Sequence, residues 1–206
     1  MSRNKNVSKL ISDTVHLCSE HGVAFKLIQK SKVPLGNNLF CNGYFWADTN
    51  KLEFVVATKK PIKDWIQIFV HESCHLDQYI KDKTKFINDD GTSDIDKWLL
   101  GENIITKPKV KRLIKIVQRL ELDCEKRSVA KIKKYKLPIN IDEYIQKSNL
   151  YVHFHNWMYL RRSWIPKGKT LYVKELYSMM NKTFDKSYAQ TPKKIIEALD
   201  NHLLKK

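Results

Sequence analysis

The spacing of apolar residues along the chain alternates between a helical period and short strand-like runs, and this pattern predicts the order of its elements. Val7, Leu10, Ile11, Val15, Leu17 and Cys18 predict a helix over 6–21, ended by His21-Gly22. Strand-like runs follow at 24–29, 39–46 and 52–58, with Pro34-Leu35-Gly36-Asn37-Asn38 as a turn and Asp48-Thr49-Asn50 joining the last two runs as a hairpin. From Lys63 to Ile80 there is no Gly or Pro, Pro61 precedes, and Trp65, Ile66, Ile68, Phe69, Val70, Leu76 and Tyr79 surround almost the whole circumference. Such a helix is buried inside a domain.

Residues 81–109 are polar, with Gly91, Gly101 and Pro108, and carry a short helix from Asp94 to Leu100. Lying between two chemically distinctive segments, they are expected to form a loop over a cleft mouth, where Asp89-Asp90 offers either a cation site or an acidic turn. A long helix over 111–134 then presents Leu113, Ile116, Val117, Leu120 and Cys124 at helical spacing. Three further helices are predicted at 141–162, 171–182 and 191–204, the last opened by Thr191-Pro192. The expected fold class is α+β. An N-terminal helix and a small, mostly antiparallel sheet pack on the 63–80 helix in a core of residues 1–137, and a helical C-terminal part, 138–206, packs on it as one domain.

The buried helix contains His71-Glu72-Ser73-Cys74-His75. Residues four apart lie one turn apart on one helix face, so His71 and His75 can present imidazole nitrogens to one metal ion. A buried helix must satisfy its polar groups, and a metal does so here. Glu72, beside the same pocket, can take a proton from an attacking water and pass it to a leaving amine. Downstream, Glu121 falls on the apolar face of the 111–134 helix, and a carboxylate there requires a cation. One turn on lies Glu125, so one of the pair can bind metal while the other orients a ligand histidine. Hydrogen-bonded core histidines, or a metal site without catalysis, are the bland readings. Cys74 and Cys124 read as small packing residues rather than thiolate ligands.

HExxH followed by an ExxxE pattern on a later helix resembles the gluzincin group of zinc metallopeptidases. The order of segments around it is similar to small metallopeptidase-like proteins of phage genomes. The resemblance covers about residues 40–130 and implies a zincin-like core, one Zn2+ ion and hydrolysis of a peptide or protein substrate. It also implies His71, His75 and Glu121 as ligands, Glu72 as general base, and Glu125 as the acid behind the ligands. Glu125 stands where Asp is more usual, so an exchange of roles between Glu121 and Glu125 stays open.

Zinc peptidases need a donor to the developing oxyanion. Tyr151, His155 and Tyr159 lie four apart on one stripe of the 141–162 helix, and any of them could serve; an aromatic face packed on the core is the other reading. The Gly43-Tyr44-Phe45 strand is the expected edge for an extended peptide.

Lys and Arg outnumber Asp and Glu by 38 to 22 in the 206 residues, a net charge of +16. Lysines cluster at 107–115 and 126–136, and Arg161-Arg162-Ser163-Trp164 with Lys167-Gly168-Lys169 adds a basic, aromatic-flanked stretch. A nucleic-acid partner is one reading, either for a DNA-associated protease or for a basic binding protein with a structural or degenerate metal site. Solvated helix faces are the other. A zinc amidase or cell-wall peptide hydrolase would share the metal site. No run approaches the roughly 18 apolar residues of a membrane span. Met1-Ser2-Arg3-Asn4-Lys5 leads into no signal-peptide core, and the cysteines at 18, 41, 74 and 124 show no framework spacing. A cytoplasmic protein with free thiols is expected, in the host cytoplasm if the chain is viral.

Overall fold

The computed structural model describes residues 2–36, 39–48, 50–84, 92–102 and 105–205. It is α+β, and the chain divides into two units: Met1–Asp89 with Cys124–Ile139, and Asp90–Asp123 with Asn140–Lys206. Residues 90–123 thus group with the C-terminal helices rather than with the segments on either side of them. Asp89-Asp90 lies outside the described residues. Among the described residues no helix is long and apolar enough to cross a membrane.

The first unit opens with α1 (Ser2–Glu20) and continues through β1 (Ala24–Ile28), β2 (Val33–Gly36), β3 (Leu39–Cys41), β4 (Gly43–Ala47), β5 (Leu52–Ala57) and α2 (Ile62–Lys81). β5 is the central strand of a mixed sheet ordered β1-β5-β4, parallel to β1 and antiparallel to β4; β2 and β3 pair separately as an antiparallel ribbon. The single strand expected over 39–46 is therefore broken at Asn42. Its first half serves the ribbon and its second half the main sheet.

Phe54, Val55, Val56 and Ala57 are all buried, which explains why β5 reads as a continuous apolar run instead of an alternation. On one face Phe54 stacks on Phe25 (5.3 Å) and meets the Phe69 ring of α2 edge-on (5.1 Å). Each such buried ring contributes about 1.5–3 kcal/mol relative to exposure. On the other face Val55 and Ala57 cluster with Val33 of the ribbon.

Gly43 brings β4 close under α2. A Cβ at this position would stand 2.8 Å from Ile68 Cγ2 and 2.9 Å from the Val55 carbonyl oxygen.

The C-terminal part of α4 (Lys107–Lys134) completes this unit. Lys131 Nζ donates to the Ser73 carbonyl (2.9 Å) and pairs with Asp77 (2.9 Å), while Tyr135 donates to Asp13 of α1 (2.8 Å).

The second unit contains α3 (Thr92–Leu99), the N-terminal part of α4, α5 (Ile141–Arg161), α6 (Lys174–Tyr177) and α7 (Lys193–Leu203). Its core joins Trp98, Leu113, Leu150, Phe154, Trp157 and Leu199. Asn140 caps α5 by accepting the Glu143 N–H (3.1 Å).

The helix predicted over 171–182 shrinks to α6, a single turn. Leu171, Leu176 and Met180 are buried as their pattern suggests, but the carbonyls beyond α6 are taken by side-chain amides of α5. Gln146 donates to Met180 O (2.9 Å), Asn149 to Asn181 O (2.9 Å) and Thr183 O (2.8 Å), and Asn156 to Tyr188 O (2.9 Å). With these acceptors satisfied from another element, the segment needs no helix of its own.

Candidate metal centre

Helix α2 starts after Pro61, whose fixed φ and missing N–H suit a helix entry, and Asp64 lies in its first turn. His71 and His75 project from one face and meet through Nε2, 3.1 Å apart, with their rings nearly perpendicular. Each ring is held from behind. His71 Nδ1 is 3.2 Å from Glu125 Oε1, and His75 Nδ1 is 2.9 Å from Gln78 Oε1.

Both outer partners are acceptors, so each imidazole carries its proton on Nδ1 and offers a lone pair at Nε2. Two lone pairs 3.1 Å apart repel unless a cation or a proton lies between them. Two imidazole nitrogens at about 2.0–2.1 Å from one tetrahedral zinc stand roughly 3.3–3.4 Å apart, close to the separation seen.

Cys124 brings its thiol beside the His71 ring, on its Nδ1 side. Its Sγ donates to the His71 carbonyl (3.3 Å) and lies 3.6 Å from His71 Nδ1. His71, His75 and Cys124 form a group whose ligand atoms lie within 4.8 Å of one another, enough to hold a metal ion. The sequence reading placed Cys124 among packing residues, and it is buried as that reading required, but it also belongs to the donor group.

Behind it, burial pushes the Cys74 thiol up, while the Cys124 thiol, the Lys131 ammonium and the Ser128 hydroxyl outweigh burial and bring it down to about 7. All four cysteines are free thiols.

Glu72 is buried, and its Oε2 accepts the Phe45 N–H of β4 at 2.9 Å. Tyr44 and Trp46 pair with β5, and alternation along an antiparallel strand turns the Phe45 N–H the other way, toward α2. The general-base candidate is thereby tied to the edge strand. Closer still to that strand, the Phe45 ring packs on Tyr79 (5.6 Å).

The remaining expected residues lie in the second unit. Glu121, a turn before Glu125 along α4, acts on His155: burial pushes the His155 imidazole down, and the Glu121 charge works in the opposite direction. His155 Nδ1 is 3.0 Å from the Tyr151 carbonyl, which can only accept, so the neutral ring has its proton on Nδ1 and a lone pair on Nε2. In that tautomer Nε2 accepts and cannot donate to an oxyanion. Tyr159 is stacked on Trp98 (6.1 Å) in the core, and the Tyr151 ring meets His155 edge-on (5.0 Å). The neighbouring His153 joins Asp185 (3.0 Å) and Thr191 (3.1 Å) and so ties the irregular segment after α6 to α5.

Two participants escaped the sequence reading. Gln78 is visible in the string only as a polar residue three after His75, a spacing that allows contact on a helix without demanding it. The Phe45 N–H has no side-chain signature at all.

No protein-family model matches this chain, and no curated protein or solved structure matches it either.

Proposed function

We propose that the chain is a zinc metallopeptidase of gluzincin type with a zincin-like core around α2 and β4. The observation that carries this reading is the approach of His71 Nε2 and His75 Nε2 to 3.1 Å, with an oxygen acceptor facing Nδ1 of each imidazole. Ligand histidines in zinc sites are held in this way by a carboxylate, carbonyl or amide oxygen. The pair of histidines, their orienting groups and a carboxylate next to them supply the working parts of HExxH chemistry.

In this reading His71 and His75 hold the ion, and Glu125 and Gln78 fix their tautomers. Zinc, when bound, supplies Lewis-acid polarisation of the scissile carbonyl and acidifies water. Glu72 removes the proton of the attacking water and returns it to the leaving amine. The Phe45 N–H holds one carboxylate oxygen of Glu72, which fixes the direction of that transfer. The resemblance assigns the third protein ligand to Glu121, and Cys124, which groups with both histidines, is the competing donor. Tyr151 has a hydroxyl able to donate to an oxyanion, which neutral His155 lacks.

The test combines metal analysis with a substrate screen on the full chain. About one zinc per chain, lost in His71→Ala and retained in Glu72→Gln, together with peptide hydrolysis that Glu72→Gln abolishes, is the expected result. Full turnover by Glu72→Gln, or a wild-type protein that neither retains zinc nor binds it on titration, overturns the proposal.

A further inference from the structure

We infer that the exposed face of the first three turns of α4 is a docking surface for the phosphate backbone of a nucleic-acid duplex. Lys107, Lys111, Lys115 and Arg119 follow one another at four-residue intervals, with Arg112 beside them, and all five side chains are exposed. At 100° per residue they occupy about 140° of the helix circumference and extend about 18 Å along it. The first turn holds no acidic residue, and the first acids of the helix are Glu121 and Asp123.

This arrangement works against the helix that carries it. Cations in the first turns oppose the macrodipole, and like charges four apart repel. None of the five takes part in an ion pair among the described residues, whereas their neighbour Lys109 is joined to Asp94 at 2.9 Å. Elsewhere basic residues are used internally: Arg161 pairs with Asp200, and Arg162 donates to the Trp98 carbonyl and covers the Trp98 ring. The five side chains on α4 instead form a regular, exposed stripe of cations.

The chemistry of the face selects among polyanions. Cations about 6 Å apart along a rod match a regularly charged backbone. Ile116 is the one large apolar residue exposed between them, so the face lacks the apolar wedge with which helices enter a lipid surface. No aromatic residue lies among these positions, so the base-stacking platform of single-strand binders is also missing. Phosphate contacts without base readout are what remains, and binding should be indifferent to sequence.

The experiment is fluorescence anisotropy of the full chain with a labelled duplex of mixed sequence, repeated from about 50 to 200 mM salt. The quadruple variant Lys111→Gln, Arg112→Gln, Lys115→Gln, Arg119→Gln is compared with a control that removes equal charge elsewhere, at the exposed Lys167, Lys174, Lys186 and Lys194. The stripe variant should lose at least about tenfold in affinity, and its log–log salt slope should fall by about 3–4, at roughly 0.9 per phosphate contact; Lys115→Gln alone should lower the slope by about 0.9. The control should bind as the wild type does. Equal weakening of both variants, an unchanged duplex affinity with reduced binding to phosphatidylserine vesicles, or no duplex binding by the wild type at the lowest salt overturns the inference. Circular dichroism checks folding, and the stripe variant should melt no lower than the wild type because repulsion has been removed.

Discussion

The Glu125 carboxylate stands 3.2 Å from Nδ1 of His71, and this contact sets the direction in which the imidazole works. It keeps the proton on the side of α4 and turns the Nε2 lone pair toward His75. Gln78 does the same for His75 from within α2, with a neutral acceptor in place of a charged one.

Removing either support should weaken metal binding without removing a ligand. Glu125→Ala and Gln78→Ala are each expected to lower zinc affinity about 10–100-fold, measured by competition with a chromogenic chelator. Gln78→Glu, which restores an acceptor at the same reach, should recover most of the loss. An affinity unchanged by Gln78→Ala would remove Gln78 from the site.

Glu72→Gln separates binding from proton transfer. It should retain wild-type zinc content while hydrolysis of any cleaved peptide falls by about 10²–10⁴, the range of general acid–base catalysis. Zinc lost together with activity would mark Glu72 as a ligand instead.

Glu121→Ala and Cys124→Ala decide the third donor. Loss of zinc on Glu121→Ala with Cys124→Ala unaffected is the expected pattern. Cobalt substitution gives an independent reading, because a thiolate ligand adds a near-ultraviolet charge-transfer band that a carboxylate does not.

Gly43→Ala should destabilise the fold by about 1–3 kcal/mol, as overpacking does. The added methyl would meet Ile68 Cγ2 at 2.8 Å and the Val55 carbonyl at 2.9 Å, so β4 must move away from α2. The Phe45 N–H moves with it, and activity should fall further than stability alone explains. Thermal melting and peptide turnover measured on the same sample check both parts.

Glu53 gives the first unit an acid-labile support. Burial pushes its carboxyl up, but Lys51, Tyr44 and Lys26 outweigh burial and hold it at about 2, below its ordinary 4.5. Since the folded value is the lower one, the contribution is complete above about pH 4.5 and is lost as pH falls through about 2. With Lys26 and Lys51 about half exposed, solvent screening leaves roughly 1 kcal/mol. Glu53→Gln should therefore flatten the acid limb of a stability–pH curve measured by urea melts.

Local pattern alone determined the helix over 63–80, the His-Glu-x-x-His string within it, the strands near 24–28, 43–47 and 52–57 and the long helix that carries Glu121 and Glu125, because each rests on a period of 3.6 or 2 visible within one segment, whereas Val33–Gly36, expected as a turn from Pro34, is a strand because β3 pairs with it. The spacing of His71 and His75 is itself a local property, since four residues make one turn. Tertiary structure decided the rest. The split of 39–46 at Asn42 depends on β2 competing with β5 for partners, and the loss of helix after Tyr177 depends on amides of α5 reaching its carbonyls. The anchoring of Glu72 depends on a backbone N–H, which every residue except proline possesses and which no side-chain pattern distinguishes. The tautomers of His71 and His155 likewise follow from acceptors outside their own pattern, a carboxylate in one case and a carbonyl in the other. Periodicity shows which face of an element is buried; what that face meets is fixed only when distant segments are packed together.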